Sequence, residues 1–168
     1  MDKRKDRFEK LNRKAIEQAE ALKLDEAIGI FSRLPEIASG KEQKARAYNN
    51  WGTALFDLAK IKEDETLFRE SFEKYALAVR YKEDFHGAYC NWGTALSDLA
   101  KIKEDEALFR ESFEKYALAV RYKEDFHEAY FNWGTALSAL AKIKEDEDVF
   151  RESFEKYALA VKYKEDFH

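Results

Sequence analysis

Three histidines recur at a fixed interval in this 168-residue chain: His86, His127 and His168, each 41 residues from the next. Imidazole titrates near neutral pH and is the commonest metal ligand, so the recurrence invites an acid–base or metal reading. The spacing argues against it. Side chains at one level of successive packed helices stand roughly 10 Å apart, too far to share one ion. Acidic triplets recur with the same interval, Glu63-Asp64-Glu65 followed by Glu104-Asp105-Glu106 and Glu145-Asp146-Glu147. Paired carboxylates do acid–base work in a water-poor cleft. Here each triplet precedes an apolar-periodic stretch, where negative charge is favoured by the dipole of the helix it opens. Cys90 is the sole cysteine, which excludes an internal disulfide and a cysteine zinc site. It stands where its copies carry Asn49 and Phe131 and reads as packing filler. No phosphate-loop, Gly-x-Ser-x-Gly, His-Glu-x-x-His or calcium-loop spacing occurs. The expectation is a chain that is not an enzyme, with no catalytic residue, no metal and no other cofactor.

The interval that places these residues governs most of the chain. Trp51, Trp92 and Trp133 are also 41 apart. Asn50 to Cys90 matches Asn91 to Phe131 at 37 of 41 positions, and Asn91 to His127 matches Asn132 to His168 at 33 of 37. Such identity implies recent duplication or deliberate design. Within one copy, Phe126, Ala129, Tyr130, Trp133, Ala136, Leu137 and Leu140 fall at helical spacing and make one apolar stripe, helix A. Asp125, with Glu128 three residues on, has the spacing of a capping box and predicts where helix A starts. A second stripe, Phe109, Ser112, Phe113, Tyr116, Ala119 and Val120, follows the acidic corner and makes helix B. Two helices of roughly 18 residues joined by so short a connection must run antiparallel. One such hairpin exposes apolar surface on both sides, so neighbours must stack. Leu118 and Tyr122, off the helix B stripe, are expected to meet the next unit.

The run Tyr130-x2-Trp133-Gly134-x2-Leu137, then Ser153-x3-Tyr157-x2-Ala160, resembles the tetratricopeptide repeat, with small residues where helices approach closely. The same run occurs at Tyr89, Trp92, Gly93, Leu96, Ser112, Tyr116 and Ala119, and at Tyr48, Trp51, Gly52, Leu55, Ser71, Tyr75 and Ala78. Two features depart from that family. The unit of 41 residues exceeds the family's 34 by 7, about two helical turns, which resembles a lengthened subclass with about 42 residues per repeat. The family's terminal Pro is replaced by Glu83, Glu124 or Glu165. The resemblance implies an all-α, right-handed α-solenoid of antiparallel helix hairpins with about eight helices. It divides the chain into a divergent N-terminal capping hairpin at 1–40 and repeats at 41–84, 85–125 and 126–168, one continuous repeat domain. In the capping hairpin Pro35 is expected to kink or end the second helix near Arg33 or Leu34, and Gly40 to act as a helix stop.

The resemblance also implies a function, a non-catalytic protein–protein interaction scaffold that holds a peptide or helix on its concave helix-A face. The positions implied to face that surface are Asn49, Asn50, Thr53 and Phe56, then Cys90, Asn91, Thr94 and Ser97, then Phe131, Asn132, Thr135 and Ser138. Asn50, Asn91 and Asn132 match the Asn of family members that clamp a terminal carboxylate, but the basic partners of that clamp are absent. The alternative is a structural or self-associating array without a specific ligand. The chain's last residues, Asp166-Phe167-His168, fall where another helix A would begin, which is expected to leave Phe154, Tyr157 and Val161 partly uncovered. That implies either part of a longer array or a homo-oligomer formed through this end.

Bulk properties narrow the partners. Charged residues make up 38% of the chain, with 30 basic and 34 acidic side chains interspersed, so no single-sign field gathers nucleic acid. The one local excess, Lys3, Arg4, Lys5, Arg7, Lys10, Arg13 and Lys14, reads as a solvated helix face. Aromatics on a buried stripe serve packing before base stacking. No apolar run of 18 residues and no apolar leader occurs, so a membrane span and a signal peptide are not expected, and a cytoplasmic location is.

Overall fold

The computed structural model describes residues 3–165, which fold into helices joined by short corners, with no strand among them. One compact unit runs to Asp84 and holds α1 (Lys3–Glu20), α2 (Leu24–Phe31), α3 (Leu34–Ile37), α4 (Lys41–Lys62) and α5 (Glu65–Tyr81). The other begins at Phe85 and holds α6 (His86–Lys103), α7 (Glu106–Tyr122), α8 (His127–Lys144) and α9 (Glu147–Glu165). Eight of these are eight residues or longer; α3 is a single turn. The all-α hairpin architecture is that implied by the two stripes per repeat, with α4–α5, α6–α7 and α8–α9 as the A–B pairs.

The acidic triplets make the A-to-B corners. Asp105 Oδ1 accepts the amide protons of Ala107 at 2.8 Å and Leu108 at 3.3 Å, capping α7, and Asp64 and Asp146 do the same for α5 and α9. The preceding Glu63, Glu104 and Glu145 close the A helices in the left-handed conformation, with φ of 50°, 52° and 54°. The following Glu opens the B helix, and Glu65 pairs one turn on with Arg69 at 2.8 Å, as Glu106 does with Arg110.

The B-to-A corner is built differently from the sequence expectation. Helix α8 starts at His127 with Phe126 in the N-cap position and no side-chain cap, so the capping box of Asp125 and Glu128 does not form. The helix begins two residues past Asp125, and backbone bonds close the turn instead, His127 N–H to the Asp125 carbonyl at 2.9 Å and Phe126 N–H to that of Lys123 at 3.1 Å. Gly40 likewise does not stop a helix; it precedes α4 with extended backbone, φ −163°. Helix α2 ends at Phe31, earlier than Pro35 requires, and Pro35 occupies the first turn of α3, where its missing N–H costs nothing.

Within each A–B pair the helices meet at glycine. A Cβ on Gly93 would lie 2.9 Å from Tyr116 Cε1 and 3.1 Å from the Ser112 carbonyl oxygen, and Gly52 and Gly134 face the same obstacles. Only glycine lets the tyrosine ring of helix B lie flat on helix A. Ser71, Ser112 and Ser153 are buried at the same level and donate to carbonyls three residues back, Ser112 to Phe109 at 2.7 Å. The tryptophans are half-buried, each with a Lys ammonium of helix B over one ring face, 4.2 Å away for Lys115 on Trp92. Tyr122 stacks on Tyr89 of its own hairpin, ring centres 5.7 Å apart, and Tyr81 and Tyr163 stack likewise on Tyr48 and Tyr130. In the first unit α1 seals a core of Phe8, Ala15, Ala27, Phe31, Leu34, Ala47 and Ala54. Arg4 of the basic stretch donates to the Glu36 and Ile37 carbonyls at 2.7 and 3.0 Å, and Glu9 accepts a forked bond from Arg46 at 3.0 and 3.2 Å.

Candidate binding face

The side chains expected on the helix-A face divide into those that the fold consumes and those that line clefts. In the first unit Phe56 is buried, 8% exposed, and tilts against Phe68. Thr53 Oγ1 donates to the Asn49 carbonyl at 3.1 Å and accepts from the buried Tyr75 hydroxyl at 3.2 Å. Asn49 donates to Asn50 at 3.3 Å, and Asn50 reaches across to Asn12 Oδ1 of α1 at 3.1 Å.

The second unit repeats the arrangement. Thr94 Oγ1 donates to the Cys90 carbonyl at 3.0 Å and accepts from Tyr116 at 3.2 Å and from Asn132 Nδ2 at 3.3 Å. One proton and two lone pairs are thereby all used, so this hydroxyl has nothing left for a ligand. Ser97 is buried, donates to the Thr94 carbonyl at 3.0 Å and lies 3.5 Å from the Tyr116 hydroxyl. Asn91 and Ser138 are half-exposed on the same faces. Phe131 is open, 56% exposed, against 4% for Cys90.

The resulting surface carries shallow clefts. One of about 340 Å³ in the first unit brings Asn50 and Thr53 together with Ile16, Phe31 and Asp57. A smaller one of about 190 Å³ in the second unit is walled by Thr94, Ser97, Phe131, Asn132 and Thr135. Asp57 was missed by the family pattern. It lies one turn on from Thr53 and forms no ion pair among the described residues, whereas its copy Asp98 binds Lys101 at 2.9 Å. Partial burial holds its carboxyl above the usual carboxylate range, with Lys60 pulling the other way. The signal was present in the repeat, because this position reads Asp57, Asp98, Ala139.

Burial pushes the Cys90 thiol up to about 12, so it carries no thiolate near neutral pH. His86 packs edge-on against Phe126 with ring centres 5.0 Å apart, and His127 Nδ1 lies 3.2 Å from Glu128. His168 lies outside the described residues. Among the described residues no three His, Cys, Asp or Glu side chains gather in a metal-holding group, and no helix is long and apolar enough to cross a membrane.

Two solved structures of MamA, a tetratricopeptide repeat protein, align with this chain at TM-scores of 0.67 and 0.64. The fold is tetratricopeptide-like. Those alignments cover 95% and 93% of this chain and 79% and 76% of MamA, at 18% and 19% sequence identity. YrrB, a TPR protein with an unusual peptide-binding site, aligns over 92% of this chain and 90% of its own at 16% identity and a TM-score of 0.37, too loose to argue from. No protein-family model and no curated protein matches the sequence. The tetratricopeptide-like assignment therefore stands on geometry, on the Gly–Tyr contact within each hairpin and the hairpin stacking inside the second unit.

Proposed function

We propose that this chain is a non-catalytic protein-interaction scaffold that receives a peptide or helix on its helix-A face. What carries the reading is the cleft beside Asn50, Thr53 and Asp57, with apolar walls from Ile16 and Phe31 and a carboxylate that no cation of the first unit neutralises at ion-pair distance. A cleft of that size takes one or two side chains, and the carboxylate selects for a basic one. The half-exposed Asn49 and Ser138 mark the same face elsewhere; Phe56, Cys90 and Ser97, being buried, act through packing.

Selection of displayed peptides against the full chain tests this. Enriched sequences are expected to carry Lys or Arg, and Asp57→Asn is expected to weaken them about tenfold, the worth of a partly desolvated ion pair. Peptides that bind Asp57→Asn as well as the parent, or no enrichment at all, would refute the proposal.

A further inference from the structure

One difference between repeat copies lies beside the Asp57 cleft, and it decides where a lysine goes. The residue before the aspartate is Phe56 in α4 and Ser97 in α6, whereas Asp57 matches Asp98 and Lys60 matches Lys101. In the second unit Lys101 Nζ meets Asp98 Oδ1 at 2.9 Å. In the first unit Lys60 Nζ lies over the Phe56 ring, 5.2 Å from its centre. That ring is held in place, buried and tilted against Phe68. An aromatic face one turn back attracts the ammonium in competition with the carboxylate three residues back. Phe56 thereby accounts for the carboxylate that carries no ion pair, although Lys60 remains near enough to pull its pKa down against the effect of burial.

The cleft's remaining chemistry narrows what enters. Asn50 Oδ1 already accepts from Asn49, and the Thr53 proton is given to the Asn49 carbonyl. The charge on its lining is wholly negative, from Asp57 on α4 and from Glu20 at the end of α1, and Ile16, Ala19 and Phe31 supply apolar walls. A cation entering against those walls sheds water, and a guanidinium is more weakly hydrated than an ammonium. Its planar fork of donors also serves carboxylates on two helices, which an ammonium meets only as a point charge.

We propose that this cleft is an arginine subsite, with Asp57 and Glu20 as its acceptors and Phe56 as the positioning residue that keeps Lys60 off Asp57. The proposal rests on the reading of the cleft as the entry point for a basic side chain and names which one. In the second unit, with Ser97 in place of Phe56, the carboxylate is neutralised within its own helix and no such subsite forms.

The probes are short capped alanine peptides with one central arginine, lysine or citrulline, titrated into the isotope-labelled full chain and followed by NMR at the Asn50, Ala54 and Asp57 amides. Saturable shifts are expected with arginine, about fivefold weaker affinity with lysine, and none with citrulline, which keeps the shape and lacks the charge. Glu20→Gln is expected to reduce the arginine peptide to the level of the lysine peptide. Equal affinity for the two, lost in Asp57→Asn, would overturn the arginine assignment and leave the basic-side-chain reading standing. No saturable shift with either would overturn both. Phe56→Ser, a residue that the second unit accommodates at this position, should weaken the arginine peptide about fivefold and lower the pKa of the Asp57 carboxyl, read from its carbon-13 shift. Adding Lys60→Ala to that variant should restore binding. A Phe56→Ser chain that keeps its affinity, or a double variant that is folded by circular dichroism and still weak, would overturn the role given to Phe56.

Discussion

Replacing each of four glycines by alanine separates propensity from packing. In a helix interior alanine is about 1 kcal/mol better than glycine. At the exposed Gly29 of α2 an added Cβ meets nothing within 4 Å, so that gain should appear as roughly 0.5–1 kcal/mol of added stability. At Gly93 the same methyl would stand 2.9 Å from the Tyr116 ring and 3.1 Å from the Ser112 carbonyl. The ring cannot swing aside, because Tyr116 is 1% exposed and hydrogen-bonded to Thr94, and the carbonyl belongs to backbone. The helices must then part by several tenths of an ångström, an overpacking cost of about 1–3 kcal/mol. Subtracting the propensity gain leaves a net loss of about 0–2 kcal/mol and a gap between Gly29→Ala and Gly93→Ala equal to the overpacking cost, about 1–3 kcal/mol. Gly52→Ala should match Gly93→Ala, and Gly134→Ala should cost less, because Tyr157 is only half-buried and can yield. Urea titration followed by both far-ultraviolet circular dichroism and tryptophan fluorescence measures this, with two probes because repeat units can unfold separately. A Gly93→Ala variant at least as stable as the parent would show that the close approach does not constrain the hairpin.

Two further perturbations test other parts of the repeat. Glu104 holds a left-handed φ of 52°, a conformation that costs a side-chain-bearing residue about 1–2 kcal/mol. After the extra unfolded-state entropy of glycine, Glu104→Gly should stabilise the chain by about 0.5–1 kcal/mol and raise the thermal midpoint; a lowered midpoint would contradict the corner geometry. Cys90 has its folded pKa raised from 9.0 to about 12, so the thiol contributes nothing to pH dependence below 9. Above that value the unfolded chain releases the proton while the folded one keeps it, and stability falls. The parent should lose about 1.4 kcal/mol more than Cys90→Ala between pH 8 and pH 10, and equal losses would place Cys90 in contact with solvent.

The hairpins were legible because their signals are local. Apolar stripes at helical spacing and the acidic triplet that opens helix B each act over a few residues of sequence, and the Gly and Tyr that meet lie within one hairpin. The B-to-A corner was not legible for the complementary reason. Asp125 and Glu128 satisfy the spacing of a capping box, but the corner from Lys123 to Phe126 is closed by backbone bonds that leave no trace in residue identity. Pro35 and Gly40 misled similarly, since each residue suits a helix start as well as a helix end, and the packing of α1 on α3 and α4 decides between them. On the helix-A face the resemblance did not distinguish side chains that point at solvent from those spent on neighbours.

That distinction can be drawn from the repeat once the bonds are known. Asn, Thr and Tyr are the same in every copy at 50/91/132, 53/94/135 and 75/116/157, and within the second unit they form one connected set, Asn132 and Tyr116 both donating to Thr94. Replacing any of them strands a buried polar partner, a penalty of about 1–3 kcal/mol, so these positions are held by stability whatever the chain binds. On the proposed function, discrimination would fall to the positions where copies differ: Asn49, Cys90 and Phe131 at one position, Phe56, Ser97 and Ser138 at the next, and Asp57, Asp98 and Ala139 beside it. The three positions vary in size and charge, and Asp57, Ser97 and Phe131 each line a cleft. Each unit therefore presents a different chemistry on one invariant frame, acidic at Asp57 and aromatic at Phe131. On the function proposed above, a ligand would be sorted by which cleft it fits, while the frame determines only that a cleft is there.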